Sequence, residues 1–365
     1  MTADREAVLV TGAGGPLGAN LARSLRRAPE PLRLVGTDAN RWHLPLSLCD
    51  VTYLIPLASE VDSYGAALAE VAARERVAVV VPTHPVEVRA VCGLRDHGRL
   101  ADGVGTALPD TAAVELADDK AATQVCLDRA GVPVPRTVLL EGPESLERAW
   151  DELGGANHPV WVRGSGAPGL GIGGAALPCR DPGVARAWVD HHLGWGHMAA
   201  SEYLPGANLT WMGVFDRGVL LAAGTRERLE YVLPHVSPSG VTGAPAVTRT
   251  VERPDVAAIG ERAVRAVDPA PHGAYFADFK EDEAGQPRVT EVNAGRCGTT
   301  VELYSAAGCN FPWLLVQLAR GEHPAPLPDP NRAVEIGLYW VRTLDCGPVL
   351  VRGEEGFAGF PSAGR

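Results

Sequence analysis

A chain of 365 residues with 46% apolar side chains is long enough for two or three globular domains, and its formal net charge of −11 excludes a basic nucleic-acid or anionic-membrane surface. The seven cysteines (49, 92, 126, 179, 297, 309 and 346) form no Cys-x-x-Cys pair and no even framework, which fits free thiols in a reducing compartment. The acid-bearing MTADREAVLVTG start does not read as a signal peptide and no apolar run reaches membrane-spanning length, so a cytoplasmic location is expected.

Ala7–Val10 reads as a buried strand, followed by TGAGGPLG and a helix carrying Leu17, Leu21 and Leu25 on one stripe. A second strand, Leu32–Thr37, runs into Asp38. This strand–glycine turn–helix–strand unit with a following acid is close to the dinucleotide fingerprint. It predicts either a nicotinamide cofactor on the helix N-terminus or a Rossmann-like structural domain whose glycines only permit the turn. The Tyr-x-x-x-Lys pair of a short-chain dehydrogenase is absent, because the chain has only two lysines, Lys120 and Lys280. Against so strong an arginine bias, each lysine marks a position where a compact ammonium is wanted. Strand Val51–Ile55, helix Asp62–Arg74 and strand Val77–Val81 complete a β/α domain with a parallel sheet, extending to residue 108.

Beyond it, Asp110–Ala117 begins a helix, Asp118-Asp119-Lys120 follows, and Ala121–Ala130 continues helical until Gly131-Val-Pro-Val-Pro135 stops it. Strand Val160–Arg163 leads into Gly164–Gly174, with six glycines in eleven residues. Such a loop offers many free backbone N–H groups and can fold over phosphates, although it lacks the Walker A pattern. His191, His192 and His197 lack metal-binding spacing and are expected at the surface or in packing. Ala199–Leu204, Leu209–Phe215 and Val219–Ala223 read as antiparallel strands, followed by Arg226, Arg228, Glu230 and Tyr231. The irregular His235–Pro245 segment is suited to lining a pocket. Helix Pro254–Val267 precedes a hairpin, and Phe311–Arg320 is a further helix. Strands are expected at Val334–Val341 and Val349–Arg352, and a frayed tail from Gly353.

The hairpin carries the densest chemistry. Ala274–Lys280 and Arg288–Asn293 read as strands around a polar turn. If they pair, Asp278, placed near the start of one, lies close to Glu291 and Asn293 at the end of the other. Glu291 and Asn293 share a face because they are two apart on a strand. Two carboxylates and an amide oxygen are hard ligands, and carboxylates that close repel unless a cation such as magnesium lies between them.

Taken together, the glycine-turn domain, Asp119-Lys120, Val162-Arg163 with its glycine loop, Ser201-Glu-Tyr-Leu-Pro-Gly206 and Glu291-Val-Asn293 resemble the ATP-grasp superfamily, over roughly residues 7–320. The resemblance implies an α/β and α+β chain: a Rossmann-like N-terminal domain (1–108), a small subdomain with the glycine lid (109–198), a C-terminal subdomain with the metal site (199–353) and a tail (354–365). It implies ATP and one or two magnesium ions as cofactors, with Lys120 and Arg163 on the phosphates. Ser165, Gly166, Gly169 and Gly171 would belong to the lid, and Glu202, Tyr203 and Leu204 to the adenine hinge. Asp278, Glu291 and Asn293 would be metal ligands, and Arg296 would face the transferred phosphoryl group. Two positions depart from the family pattern. Asn208 stands where a Glu often holds ribose, and Asn293-Ala-Gly-Arg296 is one residue longer than Asn-Pro-Arg.

The implied activity is a carboxylate–amine ligase working through an acyl phosphate on small-molecule acids and amines, with no nucleic-acid or membrane partner. Arg226, Arg228, Tyr231 and Arg296 are candidates for the acid's carboxylate. Many relatives are dimers, so a homodimer is an open option. Two alternatives stand beside it: carboxyphosphate or carbamoyl phosphate chemistry on bicarbonate, and an NAD(P)-dependent oxidoreductase using the glycine turn.

Overall fold

A computed structural model describes residues 6–154, 157–165, 175–240 and 244–343. Gly166, Gly169, Gly171 and the Val349–Arg352 strand expectation lie outside the described residues.

The first sheet is built from β1 (Ala7–Val10), β2 (Arg33–Asp38), β3 (Val51–Leu54) and β4 (Val77–Val81), all parallel in the order β3-β2-β1-β4. Its connections are α1 (Pro16–Leu25) and α2 (Val61–Glu75), and α3 (Pro85–Asp96) follows β4. Covered on both sides, β1 and β4 are apolar at every position, as strands buried on both faces must be.

Two helices follow, α4 (Thr111–Asp118) and α5 (Lys120–Arg129). Asp119 separates them: it ends α4 in an extended conformation, and its carboxylate caps α5 by accepting from Ala122 N at 2.9 Å. That break projects Lys120 from the first turn of α5. The second sheet then comprises β5 (Thr137–Leu139), β6 (Val160–Gly164), β7 (Leu177–Cys179) and β8 (Met198–Glu202), antiparallel in the order β5-β8-β6-β7. Helices α6 (Pro143–Glu152) and α7 (Pro182–His191) cover one face, burying Val160, Val162, Val189 and Ala200. The other face, with Trp161, Arg163 and Ser201 on it, opens towards the third sheet.

The third sheet is antiparallel, in the order β13-β12-β9-β10-β11-β14. It contains β9 (Asn208–Asp216), β10 (Val219–Tyr231), β11 (Pro245–Val251), β12 (Gly273–Glu281), β13 (Pro287–Ala294) and β14 (Tyr339–Val341). Helix α8 (Pro254–Val267) packs on the face carrying Trp211, Phe215, Tyr275 and Phe279. The opposite face carries Met212, Val214, Ala274 and Phe276, which pack with α9 (Val301–Ala306), α10 (Phe311–Ala319) and residues of the first sheet. The first and third sheets therefore share cores, whereas the second has a core of its own.

Four expectations change. Ala199–Ser201 belong to β8 and pair with β5 and β6, not with the strand at Leu209. Strand β10 does not end at Ala223 but continues to Tyr231, so Arg226, Arg228 and Tyr231 are strand residues. The Val334–Val341 strand shrinks to Tyr339–Val341, because Gly337 takes φ +88° inside it. Asp278 lies in the second half of β12, not near its start. His191 and His192 pack around the Trp188 ring, in keeping with a packing role. The six described cysteines are free, and among the described residues no helix is long and apolar enough to cross a membrane.

Candidate active site

Pairing register assembles the hairpin chemistry. Asp278 of β12 stands directly opposite Glu291 of β13, and Phe276 opposite Asn293. A bulge at Thr290, whose hydroxyl donates to Asp278 O at 3.1 Å, shifts the register so that Glu291 and Asn293 come onto the face of Asp278. On the other side Asp278 pairs with Thr210 of β9, which pairs with Arg226 of β10. The next row reads Lys280, Asn208, Arg228. These two polar rows cross a face that also carries Met212, Val214, Ala274 and Phe276.

Two cavities share Arg163 and Pro135, the larger between α5 and the second sheet and the smaller between the second and third sheets. The larger, about 670 Å³, is bounded by Lys120, Gln124, Arg163 and Ser165. The smaller, about 220 Å³, is bounded by Glu202, Tyr203, Leu204, Asn208, Asp278 and Glu291, together with Arg163, Arg228 and Lys280. Both lysines of the chain therefore line this cleft. Asn293, Arg296, Arg226 and Tyr231 line neither cavity.

Lys120 Nζ lies 3.1 Å from Glu291 Oε2, and Arg163 reaches across to Thr290 O at 3.4 Å. Asn293 donates its amide to Glu291 Oε1 at 3.1 Å and accepts from Arg296, which lies over the Phe276 ring. Thr210 donates to Asp278, and Arg228 Nη2 is 3.7 Å from the same carboxylate. Burial opposes ionisation of Glu291, yet Lys120, Arg296 and Arg163 outweigh it and hold its carboxyl below the ordinary range. The cations show the reverse. Burial, assisted by neighbouring positive charge in some cases, depresses the pKa of Lys120, Arg163, Arg226, Lys280 and Arg296. Two nearby carboxylates are already taken: Asp118 by Arg89 at 3.3 Å and Glu281 by Arg253 at 2.6 Å.

The other expected contacts vary. Glu202 accepts from the backbone and side chain of Arg136, so its carboxylate is engaged, and its own N–H donates to Arg136 O at 3.0 Å. Asn208 donates to the Tyr231 hydroxyl at 2.5 Å. The Ser165 hydroxyl donates to His197 O at 2.8 Å, anchoring the start of the glycine loop to the edge of β8. Among the described residues no three His, Cys, Asp or Glu side chains converge as a metal cluster. Asp278 and Glu291 nevertheless fit a hard cation, and the Lys120 ammonium already serves Glu291 as a counter-ion. The Asn293 oxygen is turned to Arg296. Trp161, with its ring centroid 6.4 Å from that of Tyr203, and Thr210 were not singled out by the sequence. An aromatic or hydroxyl on a short strand has no local signature separating a cleft from a core.

The N-terminal glycine turn is different. Gly14 N donates to Asp38 Oδ2 at 3.0 Å, and Asn40 N to Asp38 Oδ1 at 2.9 Å. A Cβ on Gly14 would lie 2.0 Å from His43 O. The turn is closed by the chain's own backbone, and its acid is engaged there.

No protein-family model matches the sequence, and no curated protein matches it. Among solved structures it is similar to biotin carboxylase from Campylobacter jejuni (17% identity, TM-score 0.65, covering 92% of this chain and 74% of that one). It is also similar to the biotin carboxylase domain of 2-oxoglutarate carboxylase from Hydrogenobacter thermophilus, in complex with MgADP, ADP and bicarbonate (18%, 0.63, 92% and 73%). A third is L-amino acid ligase from Bacillus licheniformis (14%, 0.59, 87% and 78%). These likenesses show the fold: this chain, a parallel sheet followed by two antiparallel sheets, has the ATP-grasp fold.

Proposed function

We propose that the protein is an ATP-dependent, ADP-forming ligase that joins a carboxylic acid to an amine. The observation that carries this reading is the charge imbalance of the cleft. Lys120, Arg163, Arg228 and Lys280 line it with two carboxylates, Asp278 and Glu291, and burial depresses three of these cations, Lys120, Arg163 and Lys280. A buried charge left uncompensated costs several kcal/mol, so such a cluster is built for a polyanion.

In this reading Lys120 and Arg163 grip the phosphates from either side of the cleft, and the backbone of Glu202–Leu204 meets adenine. Asp278 and Glu291 would hold magnesium, which neutralises phosphate charge when bound. Arg296, held by Asn293, steadies the substrate carboxylate. A carboxylate oxygen attacks the γ-phosphorus, the bond from that phosphorus to the bridging oxygen breaks, and ADP leaves. The amine nitrogen then attacks the acyl carbon. The carbon–oxygen bond breaks, phosphate leaves and the amine gives its proton to solvent. Such transfer depends on positioning and charge neutralisation more than on a protein nucleophile. Bicarbonate could replace the organic acid in the first step, as its presence in one neighbouring structure suggests. The closed glycine turn argues against the nicotinamide reading. ADP release measured over a panel of carboxylates, bicarbonate and amines is expected to rise only with the right acid. No stimulation by any acid would overturn the proposal.

A further inference from the structure

The ligase reading leaves one buried cation without a task. Arg226 is 3% exposed, its Nη1 meets no partner, and among the described residues no carboxylate is paired with it. Its neighbour on the strand, Glu227, points to the other face and is held by Arg249 at 2.7 Å. Arg228 on the same strand face, Tyr304 of α9 and Thr300 one helical turn before Tyr304 repeat the pattern. Arg228 Nε, the Tyr304 hydroxyl and the Thr300 hydroxyl are all buried without a hydrogen-bond partner. Tyr304 and Thr300 are themselves 1% and 0% exposed. Gly224 permits the close approach: a Cβ there would meet the Tyr304 ring at 3.1 Å, so the glycine lets that ring lie against β10 beside Arg226.

Two guanidinium N–H groups and two hydroxyls, each buried without a hydrogen-bond partner, are costly unless a ligand completes them. Arg228 lines the smaller cavity and leads from it towards Arg226. The position is also distant from the reacting end. Arg226 stands on β10 and Arg296 follows β13, and three strand spacings, about 14 Å, separate those two strands. The two long side chains can narrow that backbone gap to the length of a short dicarboxylate, each guanidinium serving one end. Accordingly, we propose that Arg226, Arg228, Thr300 and Tyr304 form a second carboxylate pocket, and that the acid substrate is a dicarboxylate whose non-reacting carboxylate binds there. A guanidinium fork grips carboxylate or phosphate bidentately, and the carboxylate is chosen because the ligase reading already supplies a carboxylic acid. This inference rests on the ligase reading and narrows it.

The test uses the full chain with MgATP and hydroxylamine, which traps an acyl phosphate as a hydroxamate whatever the natural amine. Acids are compared in chain-matched pairs: butyrate with succinate, valerate with glutarate, and phosphonoacetate as the phosphate-like arm. The expected result is a kcat/KM for the dicarboxylate about 30-fold or more above its monocarboxylate, the size of a charged hydrogen-bond pair. Arg226→Gln is expected to raise the dicarboxylate KM by a similar factor with little change in kcat, and Tyr304→Phe by about 3-fold to 10-fold. Equal turnover of both members of each pair overturns the second pocket and leaves the ligase intact. Preference for phosphonoacetate overturns the choice of carboxylate. Absence of both hydroxamate and ADP with every acid removes the ligase reading, and this inference with it. If Arg226→Gln does not fold, the wild-type pairs decide the matter alone.

Discussion

The N-terminal glycine turn and the C-terminal hairpin both combine a motif with an acid, and both invite a ligand on sequence grounds. In the turn, the acid and the backbone amides that face it have found partners within the chain. Gly14 donates to Asp38, Asn40 completes that carboxylate, and His43 fills the space over the glycine. In the hairpin and the strands beside it, cations outnumber their counter-ions and donors are left without acceptors. The difference lies in satisfaction, not in the motif. A buried polar group that is already bonded stabilises the fold, while one left open stores affinity for whatever completes it.

Removing the acids of the hairpin should have the largest effect. Asp278→Asn and Glu291→Gln are expected to lower ADP release by about 100-fold to 1,000-fold, the range for losing one charge-stabilising group at a reacting centre. Unchanged turnover in either variant would break the comparison. A smaller effect concerns pH. Burial depresses the Lys120 ammonium; Arg163 adds to this and Glu291 opposes it. As pH rises through that lowered pKa the folded protein loses the proton before the unfolded chain does. The unfolded state then binds more protons, so the stability of the free protein rises between the two values, while MgATP affinity falls across the same window. Denaturant melts and ATP titrations across the alkaline range should therefore run in opposite directions, and parallel trends would contradict the role given to Lys120. The smallest effect is expected in the turn. Asp38→Ala removes the acceptor for two backbone amides and should cost about 1–3 kcal/mol of stability, seen in chemical denaturation, with turnover changed less than about 3-fold. A large loss of turnover with no loss of stability would show that the turn serves a ligand.

Much of the fold was legible because its signals are local. The apolar runs of β1 and β4 and the α8 helix emerged with their observed boundaries, since periodicity and proline and glycine punctuation act over a few residues. Chemistry concealed other parts. By its apolar pattern alone strand β10 ends at Ala223, where Arg226 and Arg228 interrupt it, yet the strand runs on to Tyr231, with Arg228 lining the smaller cavity and Arg226 buried. The sheet membership of β8 depends on pairing with β5 and β6, a long-range choice that no stretch of sequence states. Likewise, proximity of Asp278 to Glu291 followed from the hairpin, whereas the Thr290 bulge that sets their register did not. Thr300 and Tyr304 escaped notice because a buried hydroxyl shows its unmet hydrogen bond only once its surroundings are known.

The most direct measurement is calorimetric titration of the wild-type protein, Glu291→Gln and Asp38→Ala with ATP and magnesium, and separately with NAD and NADP. The account predicts heat from MgATP that Glu291→Gln weakens and Asp38→Ala preserves, and none from either dinucleotide. Binding of a dinucleotide that Asp38→Ala abolishes, with no response to MgATP, would place the ligand at the turn and contradict the account.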